Sequence, residues 1–398
     1  MISSHGILAL ASVVLLSLPA HGEIRPWTNT SGQTFQAEFV RLDGANVIFA
    51  LEGGRTFVTP LASLSAADQA TVKLAPPPGP APAAPVAPVA PAAPANFGHP
   101  WPREIRVDGS SQSRVISEDP KKGIYIYESP HYRFICDVRL TSDVLRNFAM
   151  MFETTWKYVT SVPLGLDVAA PRHGRFEIIL FGEPGGYIRA GGPPNSAACY
   201  VHSRGIVLAP VESLGLVRTP TGFSLDTTKT NDVLIHELSH QLTPASYFKP
   251  RTNGWFSEGL AEYLSSTPYS WGYFSPDPHG NAVLAYVTAR GEKGKGGRGL
   301  GTKLRAPRLR RFIQLPYEDF SGENGNFNYG FGLLLFHYFC HMEGGGRSQR
   351  LTAYLKSLRA GDPVETANAA LLGGSTFEKL EAEFADAWRR KGIEIAFE

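Results

Sequence analysis

Between Pro76 and Pro94 the chain is almost entirely proline and alanine, with nine prolines in the stretch. Proline fixes φ and removes an amide donor, so this segment suits neither a helix interior nor a sheet ladder. It reads as an extended, polyproline-like spacer, on the order of 60 Å long at ~3.1 Å per residue. The 398 residues are therefore expected to fold as a small module and a large one on either side of it. The expected boundaries are a leader over 1–22, a small module over 23–75, the linker over 76–100 and the large module over 101–398.

Composition narrows the class. With 43% hydrophobic residues, 19% charged residues and a net charge of +2, the chain is neither a disordered acidic polymer nor a nucleic-acid binder. Three cysteines (Cys136, Cys199, Cys340) cannot build a disulfide framework, and their spacings fit no zinc knuckle. Ile7 to Leu18 form an apolar run followed by small residues at Ala20 and Gly22. That pattern predicts a secretory signal peptide cleaved before Glu23, and hence a secreted or periplasmic protein. The run is too short to span a membrane, which needs ~20 apolar residues, so no span is expected after cleavage.

In the small module, Thr34–Val40 and Asn46–Leu51 alternate with period two around an Asp43-Gly44 turn. Gly53-Gly54 makes a second turn before Arg55–Val58, and Ser65 with Asp68 starts a short helix as a capping box. Arg25-Pro26-Trp27-Thr28, Gly32, Phe35–Phe39 and Pro60–Gln69 together resemble the SLA1 homology domain 1 family of small all-β, SH3-like barrels. The resemblance implies a binding or tethering accessory with a cell-surface or protein ligand, and no chemistry.

The large module alternates strands and helices before becoming mostly helical, which predicts an α+β fold. Strands are expected at Ile124–Tyr127, Tyr132–Val138 and Arg175–Phe181, with a hairpin formed by Ala198–Val201 and Gly205–Leu208. Ser142–Val159 carries Val144, Leu145, Phe148, Met151, Phe152 and Trp156 at helical spacing. Phe331–Cys340 reads as a core helix.

The chemistry lies in Thr230–Pro244, a predicted helix of three to four turns containing His236-Glu237-Leu238-Ser239-His240. Histidines at i and i+4 share one helix face, so both imidazoles can reach one Zn²⁺ at ~2.0–2.1 Å. Glu237, about 100° round the helix, can serve as general base towards a metal-activated water without taking a metal position. An HExxH pattern arises by chance about once or twice per hundred chains of this length, so a third ligand has to decide. No third histidine follows closely. Trp255-Phe256-Ser257-Glu258-Gly259-Leu260-Ala261-Glu262-Tyr263-Leu264 supplies a carboxylate instead, with Glu258 eighteen residues after His240. Pro244, Pro250 and Gly254 allow the antiparallel return. Three protein ligands and an open fourth position make a catalytic zinc site, one ion per chain. Glu262, one turn on, is placed to hold a ligand histidine.

HExxH followed by a WxxEGxAEY helix resembles the gluzincin peptidases, the thermolysin and M1 aminopeptidase side of the metallopeptidases. More narrowly it is similar to secreted bacterial MA-like domains of the DUF1570 type, over roughly residues 125–390. The resemblance implies a thermolysin-like zinc peptidase domain, with a sheet followed by a helical subdomain, acting on a peptide or protein substrate. It also implies that Tyr329, within Asn328–Phe336, stabilises the tetrahedral oxyanion. An edge strand of the sheet, at Ala198–Val201 or Gly205–Leu208, is implied to align substrate by backbone pairing. No GxMEN-type sequence accompanies these motifs.

The competing expectation is a peptidase-like scaffold without activity, working as an extracellular binding or adhesion protein through the small module. The intact Glu237 speaks against it. His337 and His341 form a second i, i+4 pair around Cys340, and their apolar surroundings favour core packing over a second metal site. Lys303 with Arg305–Arg311 reads as a solvated basic face. His131, His173, His202 and His279 have no partners in sequence. Gly185-Gly186 and Gly191-Gly192-Pro193-Pro194 suggest a flexible loop acting as a lid.

Overall fold

The structure, a computed structural model, describes residues 24–43, 46–50, 56–74, 96–108, 112–168, 170, 174–194, 196–219, 222–226, 232–276, 279–289 and 297–398. The expected leader, Gly44, the Gly53-Gly54 turn, the Pro/Ala tract and His173 lie outside the described residues. The chain divides into two compact units, the first ending at Pro91 and the second beginning at Ala92. Strands come first and helices dominate later, so the fold is α+β, as its sequence pattern predicts.

The first unit is an antiparallel meander of four strands, Ile24–Thr28, Thr34–Asp43, Asn46–Ala50 and Thr56–Pro60, ending in the helix Ala66–Leu74. Period-two alternation puts Ala37, Val47 and Phe49 in a small core with Trp27, Leu64 and Val72. The Trp27 indole donates to the Ala37 carbonyl at 2.9 Å, and the Arg25 guanidinium lies 3.6 Å from the centre of its ring. Ser65 caps the helix by accepting the Asp68 amide at 3.2 Å. The Asp68 carboxylate reaches further than a capping box requires. It accepts the Thr28 amide at 2.8 Å and Arg25 at 3.1 Å, tying the helix to the first strand.

The second unit is built on a six-stranded mixed sheet. In spatial order its strands are Cys199–Val201, Ile206–Pro210, Phe176–Phe181, Tyr132–Cys136, Ile124–Glu128 and Arg114–Asp119. The three central strands are parallel, and the expected hairpin forms as an antiparallel edge pair. Helix Ser142–Ser161 connects two of the parallel strands and buries the predicted apolar stripe except for Trp156, which is half-buried. Alternation along Ile206–Pro210 divides its side chains: Val207 and Ala209 enter the main core, while Ile206 and Leu208 join Tyr187 in a smaller cluster.

Tyr187 belongs to a short helix, Pro184–Arg189, where a flexible lid is expected from the glycine pairs. One of those glycines has a packing role. A Cβ at Gly192 would fall 2.2 Å from the Tyr187 ring, so that glycine serves close approach to a buried aromatic.

Helices Gly254–Ser265 and Gly325–His337 cross at two glycines. A Cβ on Gly259 would lie 2.6 Å from the Gly332 carbonyl oxygen, and one on Gly332 would lie 3.2 Å from that of Trp255. The backbones therefore touch, and the second helix brings Tyr329 beside the first. Phe331–Cys340 is buried as expected. His337 and His341 pack ring to ring at 4.9 Å, with Trp101 and Tyr263 against His341. The pair sits within the core, and the one metal-competent group among the described residues lies elsewhere. The basic stretch is paired as well as solvated: Lys303–Ala306 runs parallel to Glu394–Phe397, and Arg308 meets Glu381 at 2.9 Å.

Candidate metal centre

Helix Asp232–Gln241 carries the HExxH residues. Leu234, Ile235 and Leu238 face the main core, which turns His236, Glu237 and His240 the other way. Gln241 fixes the helix to the sheet by donating to the Glu177 and Gly205 carbonyls at 3.0 and 3.1 Å. The chain leaves the helix at Pro244 and returns as Gly254–Ser265, all of whose residues are buried. The Asn253 carboxamide holds this return, donating to the Tyr247 carbonyl and accepting the Tyr354 hydroxyl at 2.6 Å.

The return places Glu258 beside both histidines. His236 Nε2 lies 3.1 Å from Glu258 Oε2 and 3.2 Å from His240 Nε2, and His240 Nε2 lies 3.4 Å from Glu258 Oε2. Donors ~2.0–2.1 Å from one tetrahedral zinc stand about 3.3–3.4 Å apart, so this nearly equilateral triangle fits that ion. The donor chemistry, two imidazoles and one carboxylate, fits it too.

Surrounding groups aim these donors. Glu262, 1% exposed, meets His236 Nδ1 at 3.0 Å, which leaves Nε2 directed at the triangle. Arg298 grips Glu262 with two hydrogen bonds, one of them 2.7 Å from Nε to Oε2. Tyr317 donates to Glu258 Oε1 at 2.9 Å, occupying the carboxylate oxygen that lies outside the triangle. The Tyr329 ring lies nearly parallel to the His236 imidazole, 6.1 Å away at 17°.

These contacts set the charges. Burial opposes a charged His236, but the Glu258 and Glu262 carboxylates outweigh it and raise its pKa to about 10. Burial likewise pushes Glu258 up, and His240 and His236 more than reverse this, holding it well below the usual carboxylate range. Tyr317 and Tyr329 are both raised, chiefly by burial and next by the Glu258 charge, so both phenols remain donors.

Glu237 stands apart from the triangle. Its Oε2 accepts the backbone amide of Tyr200 at 2.7 Å, and Tyr200 lies in the edge strand Cys199–Val201. One carboxylate thus touches the rim of the sheet while its helix neighbours form the donor set. Phe248 and His202 continue this wall, with ring centres 5.1 Å apart and Phe248 6.2 Å from His240.

All the residues singled out from the sequence, His236, Glu237, His240, Glu258, Glu262 and Tyr329, meet in this one region. Sequence reasoning missed Arg298 and Tyr317. Arg298 sits in a glycine-rich basic stretch and Tyr317 follows a proline, neither with a motif around it. Compared with known proteins, the chain matches no protein-family model and no curated sequence.

Proposed function

We propose that the second unit is a gluzincin-type zinc peptidase domain, and that the chain is a secreted or periplasmic hydrolase of peptide bonds. The first unit, in this reading, is an SH3-like barrel that tethers the enzyme to a protein or cell-surface ligand. The observation that carries the reading is the donor triangle of His236, His240 and Glu258, with a fourth side chain, Glu237, on the same helix and outside it.

Zinc held by His236, His240 and Glu258 would supply Lewis acidity towards a water and towards the scissile carbonyl oxygen. The chain's own groups handle the protons. Glu237 takes one from the attacking water at a carboxylate oxygen as the new C–O bond forms, then delivers it to the amide nitrogen as the C–N bond breaks. Tyr329, protonated, is the phenol available to donate to the carbonyl oxygen as it gains charge, while the single proton of Tyr317 is held on Glu258 Oε1. The edge strand Cys199–Val201 offers a row of backbone groups to an extended substrate, and Glu237 already touches that row.

The test combines metal content with cleavage. The purified chain is expected to retain about one zinc, Glu258→Ala to lose it, and Glu237→Gln to retain zinc while losing cleavage of a peptide library. A wild-type chain that binds no zinc after reconstitution, or a Glu237→Gln chain that cleaves as well as wild type, refutes the reading.

A further inference from the structure

We infer that Arg298 is a positioning residue for the metal centre, fixing the His236 imidazole from both sides. On one side its guanidinium clamps Glu262, which holds His236 Nδ1 at 3.0 Å. On the other its carbon Cζ lies 4.9 Å from the centre of the Tyr329 ring, the ring that lies parallel to His236. His236, Glu262, Arg298 and Tyr329 thus close a circuit of contacts around one ligand. The inference rests on the zinc reading above.

Arg298 is itself firmly held. Its backbone amide donates to the Tyr286 carbonyl at 2.8 Å, and its carbonyl accepts the Asn326 side chain at 2.9 Å. Its stem runs over Gly330, where a Cβ would come within 3.3 Å of the Arg298 Cβ and Cγ. The glycine next to Tyr329 thus leaves room for Leu300, 2.7 Å from that Cβ, as well as for the arginine. A planar guanidinium suits this place because it can grip a carboxylate through two hydrogen bonds and still lie on an aromatic face; an ammonium cannot do both.

Sign separates positioning from mere proximity. A positive charge near a cation site repels the cation, so if charge were its main effect, deleting Arg298 would tighten zinc binding. Removing a positioning group weakens it, commonly ~10–100-fold for partners of a metal-bound histidine.

The experiment uses the full chain as wild type, R298M, R298K, E262Q and the E262Q/R298M double variant. Zinc dissociation constants come from chelator competition, and thermal midpoints are measured on the zinc-free proteins. The expected result is ~10–100-fold weaker zinc binding in R298M and a smaller loss in R298K. The losses in the double variant are expected to be less than additive, because one of the two routes from Arg298 to His236 runs through Glu262. Unchanged or tighter binding by R298M, or fully additive losses in the double variant, overturns the inference. So does a lowered midpoint with an unchanged dissociation constant, which would make Arg298 a purely structural residue. If wild type itself binds no zinc, the peptidase reading falls first and this inference with it; if wild type binds one and R298M binds as well, the inference alone falls.

Discussion

Substituting Gly259 by alanine sets two effects of opposite sign against each other. In an exposed helix interior, alanine in place of glycine stabilises by about 1 kcal/mol. Here the new Cβ would sit 2.6 Å from the Gly332 carbonyl oxygen, 3.0 Å from its carbonyl carbon and 3.1 Å from Phe336 Cβ. Two of these three contacts are backbone, which cannot swing aside, so helix Gly325–His337 must recede. The 2.6 Å approach is about 0.8 Å short of the 3.4 Å at which ordinary contact begins. Overpacking of this kind costs about 1–3 kcal/mol. The balance is a net destabilisation of about 1 kcal/mol, read as a lower urea midpoint for the second unit with an unchanged slope. Tyr329 rides on the displaced helix, and a shift approaching 1 Å at a reacting group costs about 100-fold in rate. Peptide cleavage is therefore expected to fall far more than stability, while zinc content holds. Gly332→Ala is the graded control: its nearest contact is 3.2 Å, so both effects should be smaller. If Gly259→Ala raises the urea midpoint and cleavage is unaffected, the two glycines are not what sets the helix spacing and the argument fails.

Three further outcomes follow from the same contacts. Asp68→Ala removes the acceptor for the Thr28 amide and Arg25, so the first unit should lose about 2 kcal/mol in urea unfolding while the second keeps its transition. Tyr200→Pro deletes the one amide that Glu237 accepts, leaving zinc content unchanged and lowering peptide turnover by about tenfold or more; unaltered turnover would show that this bond does not aim the base. His341 is pushed down to about 4 by burial, so the unfolded chain, whose histidine titrates near 6.5, binds a proton that the folded one refuses. Stability contributed by the neutral form is complete above pH 6.5 and drains away as pH falls towards 4, by at most about 3 kcal/mol. Urea midpoints of wild type and His341→Phe between pH 7.5 and 4.5 should diverge accordingly, with the variant the less acid-sensitive.

The parts of this site that could be read from the sequence are those in which one helix presents several groups at fixed spacing. His236, Glu237 and His240 share one helix, and Glu258 and Glu262 share another, so periodicity relates them before any tertiary structure is considered. Proline and glycine between the helices made the return legible too. Arg298 and Tyr317 reach the site across 36 and 59 residues of chain, from segments with neither periodicity nor motif. Only the packed fold relates them. The glycine pairs suggest flexibility in the sequence, and only the packed fold shows that Gly192 makes room for Tyr187. The strand Lys303–Ala306 was read as a basic surface because its parallel partner, Glu394–Phe397, lies some ninety residues further on.

The HExxH helix touches the edge hairpin at two points, from its middle and from its C-terminal end. Glu237 accepts from Tyr200 on the outer strand, and Gln241 donates to Gly205 at the start of the inner one. Gln241 also reaches Glu177 on the strand behind. Mechanically, helix and hairpin form one stiff jaw, in which the base and the strand rim cannot shift relative to each other without breaking a buried or half-buried hydrogen bond. The opposing jaw carries Tyr317 and Tyr329 on separate, later segments. That side is tied to the Glu258 helix by the Tyr317 hydrogen bond and by the close approach of Gly259 to Gly332, so widening the gap there also breaks buried contacts.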